Sequence, residues 1–165
     1  MADSIPRYIA VGISLGVFAL DRWSKRIIET SFSAFDSHSV IPGFFDIVRS
    51  QNPGVAFGLF SDSTSQLRTG LLIAFSLIAV AVLGAILWRI ERLDRLTGIG
   101  LSLIFGGALG NVFDRITMGM VTDFLDFYVG RLHWYTFNLA DSAICVGASL
   151  LLLGSLKSGS RLART

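Results

Sequence analysis

The residues best suited to chemistry in this chain are acids that an apolar sequence should not keep. Asp141 lies in Phe137-Asn138-Leu139-Ala140-Asp141-Ser142, in an otherwise uncharged run that opens at Thr136. Asp123 lies in Val121-Thr122-Asp123-Phe124, in the short connection just before that run. A carboxylate inside a membrane segment is costly unless it is paired or faces water, so by default it marks function. Two carboxylates brought together at a membrane boundary can share one proton, one activating water as a base while the other donates as an acid.

Other acids compete for that pairing. The pattern Asn-x-x-Asp occurs twice, as Asn111/Asp114 and Asn138/Asp141. Residues three apart share a helix face, so each asparagine can hold its aspartate or the nearby backbone. Asp114 precedes Arg115, whose guanidinium would keep the carboxylate ionised, which suits an anchor. Asp123 has no adjacent cation and suits the shared proton better, with Asp126 a further competitor in the same stretch. Asp21 and Lys25, four apart, read as an ion pair that lets a helix continue outward. His38 and His133 show no metal-ligand spacing, so no metal site is expected, and no serine–histidine or cysteine–histidine nucleophile pair is present. Trp23, Trp88 and Trp134 read first as membrane-belt residues.

These acids need elements to position them, and composition sets the class. Of 165 residues, 52% are hydrophobic and 16% charged, with a mean hydropathy of +0.64. A soluble domain carries about one quarter charged residues, so this reads as an integral membrane protein forming one domain. The net charge of +2 is too small to argue for nucleic acid, and the lone Cys145 excludes an internal disulfide. Four helices are expected, over about 7–28, 67–90, 96–116 and 136–157. On that scheme Asp141 lies five residues into the fourth helix, roughly 8 Å below its start. The first helix is the weakest, because Asp21, Arg22, Lys25 and Arg26 follow its apolar stretch. A cleaved signal peptide is the alternative there, but Ser31-Phe32-Ser33 is a poor cleavage site too far beyond the apolar core. Gly106-Gly107-Ala108-Leu109-Gly110 reads as a close helix-packing face.

Charge then orients the bundle. Arg89, Arg92 and Arg95 mark one link, and Lys157, Arg161 and Arg164 mark the C-terminal tail. Both ends and that link are expected in the cytoplasm. The β-rich segment of about 32–62 and the connection of about 117–134 are expected outside, although Arg22, Lys25 and Arg26 fit this scheme least well. In the outer segment, Phe44 to Val48 and Val55 to Phe60 flank the turn signal Asn52-Pro53-Gly54, which predicts a small hairpin lying on the membrane surface.

Five motifs in register carry a resemblance. Asp21-x-x-x-Lys25, Asn52-x-Gly54-x-Ala56-Phe57, Gly107-x-x-Gly110-Asn111-x-x-Asp114-Arg115, Val121-Thr122-Asp123-Phe124 and Phe137-Asn138-x-Ala140-Asp141-Ser142 resemble the bacterial lipoprotein signal peptidases (signal peptidase II) over about residues 15–150. The resemblance implies an all-α, four-helix membrane protein with a small extracytoplasmic β-sheet, or cradle, between helices 1 and 2. It implies an aspartyl endopeptidase of the bacterial inner membrane, its site near the outer face, that cleaves diacylglyceryl-modified prolipoproteins just before the lipidated cysteine. The family's catalytic dyad falls on Asp123 and Asp141. Asn111, Asp114, Arg115, Asn138 and Ala140 match residues that shape or support the site, and Asn52 and Gly54 fall on the cradle. The partners implied are prolipoprotein, membrane lipid and the inhibitor globomycin, with no cofactor and a monomer expected. Pro53, Val55 and Thr122 depart from the commoner residues, which bears on substrate fit. Without the resemblance, a small transporter relaying ions through Asp21, Asp114 and Asp141 would also fit, as would a non-catalytic assembly subunit.

Overall fold

The structure, a computed structural model, describes residues 4–34, 36–54 and 65–162. Four long helices are α1 (Arg7–Ser31), α2 (Ser65–Leu87), α3 (Arg95–Met118) and α4 (Leu139–Leu162). Among the described residues, three helices are long and apolar enough to cross a membrane, over Thr69–Leu87, Arg95–Met118 and Leu139–Leu156. α1 has the length, at 25 residues, but its second half carries the charges at 21, 22, 25 and 26.

α3 is the central helix, packed against α1, α2 and α4. Its start is fixed by Asp94, whose side chain accepts hydrogen bonds from the backbone N–H groups of Leu96 (3.1 Å) and Thr97 (3.2 Å). These satisfy donors that an α-helix leaves unpaired, and the hydrogen bond from the Thr97 hydroxyl holds the Asp94 carboxyl below the usual range. Gly119 ends the helix in the left-handed conformation at φ 73°, with its N–H donating to the Arg115 carbonyl. In a membrane, helices gain little from burying apolar surface against one another, so close contact must replace the hydrophobic drive. Glycines supply it. A Cβ on Gly147 of α4 would lie 2.5 Å from the Gly100 carbonyl oxygen, and one on Gly106 would lie 2.6 Å from that of Ser14 in α1. The buried Ser14 hydroxyl also donates to the Ser102 carbonyl at 3.0 Å, tying α1 to α3.

The sheet differs from the sequence-based expectation in two ways. Its four antiparallel strands, in spatial order, are β1 (Ser37–Ile41), β2 (Phe45–Asn52), β3 (Val121–Val129) and β4 (Leu132–His133). It is therefore built from both segments expected outside, and not only from the one between the first two helices. The 117–134 region, expected as a connection, contains the longest strand, and its alternation Leu125-Asp126-Phe127-Tyr128-Val129 is the period-two signal of a half-covered strand. The described residues also hold a hairpin at another turn. Phe45–Val48 lies in β2 and pairs with β1 across a turn at Pro42-Gly43, where Gly43 has φ 82°. Asn52-Pro53-Gly54 does turn the chain, with Gly54 at φ 80° and its N–H donating to the Asn52 side chain at 2.8 Å. That turn ends β2. The expected partner strand, Val55 to Phe60, lies outside the described residues, as do Ala56 and Phe57.

The glycine contacts lead to a paired test. Gly147→Ala should destabilise the bundle by about 1–3 kcal/mol through overpacking. Gly12→Ala, where a Cβ meets nothing within 4 Å, should be neutral or slightly stabilising. Thermal unfolding of both variants in one detergent measures the difference.

Candidate active site

The site is assembled at the start of α4. Asn138, immediately before the helix, accepts the Asp141 backbone N–H on its side-chain oxygen at 2.9 Å, and its own N–H points back to the Asp141 carboxylate at 3.4 Å. This reciprocal arrangement is a capping box, which satisfies two helix-terminal donors at once. It corrects the expected depth of Asp141. The helix opens at Leu139 and not Thr136, so Asp141 sits in its first turn. Position Ala140, fully buried, donates its N–H to Asp21 of α1 at 3.0 Å.

Asp123 reaches the same place from β3. Its side chain is almost fully buried and accepts two amide hydrogen bonds, from Asn138 at 2.7 Å and from Asn52 of β2 at 3.0 Å. Asp141 accepts one from Asn111 of α3 at 2.7 Å. Asn138 thus touches both aspartates, through its amide to Asp123 and its carbonyl oxygen to the Asp141 backbone. Asp123 contacts no cation directly. Burial, reinforced by the neighbouring Asp141 charge, pushes its carboxyl up to about 6 against the pull of the two amides.

The competing acids are placed elsewhere. Asp114, fully buried, is paired with Arg22 and with Lys25 (2.8 Å), both from α1. Its counter-charge was expected from the adjacent Arg115, but successive helix residues point apart. Arg115 instead donates to the Asn111 carbonyl at 3.4 Å and lies near enough to Asp141 and Asp123 for their charges to act on it. Asp21 and Lys25 are 2.9 Å apart, both without exposure. Asp126 lies on the opposite face of β3 from Asp123 and bonds His133 at 3.0 Å. Asp21 and Asp114 are therefore held by cations, a poor arrangement for an ion relay. Among the described residues no cluster could hold a metal.

A cleft of about 550 Å³ opens over Asp123, lined by Ser50, Asn52, Gly54, Leu72, Arg115 and Tyr135, among others. The sequence reading missed Arg22 and Glu29 as members of the supporting network. Arg22 reaches Glu29 at 3.8 Å, and Glu29 accepts from the Thr122 hydroxyl at 3.2 Å, beside Asp123. The spacing Asp21, Lys25, Glu29 on one helix face was the available signal.

A family model described as signal peptidase (SPase) II matches residues 13–157. The lipoprotein signal peptidase of Solibacter usitatus is 55% identical over 151 residues, covering 92% of this chain and 92% of that protein. That of Desulforapulum autotrophicum is 43% identical over 136 residues, covering 82% and 83%. Among solved structures, a bacterial membrane enzyme determined by the in meso method at 2.3 Å resolution superposes with a TM-score of 0.83. It shares 30% identity, over 98% of this chain and 95% of that one.

The raised Asp123 carboxyl makes stability depend on pH with a defined sign. The unfolded group titrates near 3.8 and the folded one near 6. The folded state therefore holds a proton that the unfolded state has lost between those values, and stability falls as pH rises through that window. Relative to Asp123→Asn, which has no such proton, the wild type should lose up to about 3 kcal/mol between pH 4 and 7. Unfolding of both proteins across that range provides the measurement.

Proposed function

The chain belongs to the signal peptidase II family, the lipoprotein signal peptidases, and from that premise we propose that it is an aspartyl endopeptidase acting on diacylglyceryl-modified prolipoproteins. It is a multi-pass membrane peptidase. We place it in the bacterial cytoplasmic membrane with α1 as a fourth span, both termini in the cytoplasm and the cleft near the outer face. The observation that carries the reading is the convergence of Asp123 and Asp141 on one buried asparagine, Asn138, with Asp123 itself lining a cleft. α1 can serve as a span because its charges are matched: Lys25 and Arg22 against Asp21, Asp114 and Glu29. That pairing also accounts for the poor fit of Arg22 and Lys25 to the charge rule, since neither is a free loop cation.

The substrate's lipid holds the scissile bond, just before the modified cysteine, at membrane level, and the cleft lies where α4 begins. Asp141, its carboxylate held by Asn111, is the base that takes a proton from water. The resulting hydroxide attacks the peptide carbonyl carbon. Asp123, the buried partner, holds the shared proton and delivers it to the departing amine nitrogen as the C–N bond breaks. Arg115, on the cleft wall, supplies positive charge near the developing oxyanion. The proton gained by Asp141 returns to Asp123, and the dyad is restored. The pair needs no cofactor. Globomycin is expected to occupy this cleft.

Purified protein should cleave a diacylglyceryl-modified prolipoprotein in detergent before the lipidated cysteine. Asp123→Asn and Asp141→Asn should each reduce kcat by about 10³-fold or more while unfolding cooperatively. Cleavage that survives Asp123→Asn and disappears with Asp114→Asn would move the dyad elsewhere. With Asp123 as the acid, kcat/KM should decline on the alkaline side. Asn52→Ala, which removes a donor favouring ionised Asp123, should shift that decline to higher pH.

A further inference from the structure

The far half of the sheet is two-faced in an unusual sense. Cross-strand partners share a face, and the register pairs Phe45 with Phe127, Ile47 with Leu125 and Val129 with Leu132. Trp134 follows Leu132 by two and falls on the same side. The aromatic rings on this side are in contact: Phe45 stacks on Phe127 at 4.5 Å, Phe137 stacks on it at 5.9 Å, and Phe44 meets it edge-on at 5.5 Å. The other face pairs Asp46 with Asp126 and Tyr128 with His133, joined by hydrogen bonds from Tyr128 to Asp46 and between His133 and Asp126.

A sheet in water turns its polar face outward. Here the polar Asp126 is buried, whereas Val129, Leu132 and Trp134 are 69–81% exposed. Leaving three such side chains in water is unfavourable, because their apolar surface gains by leaving it. The sheet is also tied closely to two of the membrane helices. Two residues separate α3 from β3, and five separate β4 from α4. Tryptophan and tyrosine are the residues that settle at the headgroup level, and the turn joining β3 to β4 adds a cation, Arg131.

We propose that this apolar face lies against membrane lipid, with the β3–β4 turn set into the layer between headgroups and acyl chains as an interfacial foot. The occupant is phospholipid: acyl chains against Val129, Leu132 and Trp134, and phosphate within reach of Arg131. The foot holds the root of β3, and with it Asp123, at the depth where α4 begins. The inference requires a membrane protein but not the aspartyl mechanism, so it stands or falls separately from the cleavage assay.

The test uses the full chain with Trp23→Phe and Trp88→Phe, leaving Trp134 as the single tryptophan, in phosphatidylcholine–phosphatidylglycerol vesicles. Cooperative thermal unfolding of this variant, at the wild-type midpoint, serves as the check on folding. Lipids brominated near the glycerol end of their acyl chains should quench Trp134 emission by about half, and more than lipids brominated near the methyl end. Aqueous acrylamide should quench it weakly, and Leu132→Glu should reverse the order of the two quenchers. Full acrylamide quenching without bromine quenching would place the turn in water and overturn the inference. Protection from both quenchers would mean that protein covers the face, which overturns it equally.

Discussion

Everything at this site depends on one buried ammonium. Lys25 has no exposure and is surrounded by three oxygens: Asp21 at 2.9 Å, Asp114 at 2.8 Å and Asn111 at 3.0 Å. An ammonium has three N–H groups, matching these three oxygens in number. Burying a charge costs several kcal/mol and is tolerated only with close partners that fill its hydrogen bonds. The arrangement is therefore rigid by necessity. It joins α1 to α3 directly, and through Asp21 and the Ala140 N–H it fixes the start of α4.

The same contact sets the direction of the amides that touch the aspartates. With its oxygen facing Lys25, the Asn111 side chain presents its NH₂ to Asp141. Asn138 is constrained likewise, because its oxygen accepts the Asp141 backbone and its NH₂ must face Asp123. Neither amide can turn over without setting oxygen against oxygen. The paired charges are thus static, and they hold the two carboxylates that have only amides as direct partners. That division separates structural acids from acids able to exchange a proton.

Much of this was legible in the sequence, for physical reasons. Apolar length gave α2, α3 and α4, and the glycines of α3 read correctly as a packing face because lipid-embedded helices need small residues to approach. The partner of Asp114 was not legible. Local sequence offered Arg115, whereas the cations that bind it, Arg22 and Lys25, come from α1, some ninety residues earlier. The depth of Asp141 is not legible either, because hydropathy does not register a cap. Asn138, whose side chain caps the helix that opens at Leu139, stands out in the sequence only by its spacing. The sheet is only half legible. The alternation in β3 lies in a stretch short enough to pass for a connection, and β1 pairs with β2 across Pro42-Gly43, a weaker turn signal than Asn52-Pro53-Gly54.

Strand periodicity offers a stronger sequence criterion than charge neighbours for choosing between Asp123 and Asp126. β3 is regular, since the irregularity in its pairing falls on β2 between Ile47 and Ser50. Residues 123, 125, 127 and 129 therefore share a face, and Asp123 is the one acid on an otherwise apolar side. Asp126 stands on the polar side beside His133 and Tyr128. An acid on the apolar face of a strand is expensive for the same reason as an acid in an apolar helix: it is removed from water without a cation to offset the loss. In this chain both forms of that expense meet at Asn138. The strand brings its misplaced carboxylate down to the membrane boundary, and the helix begins there with its own.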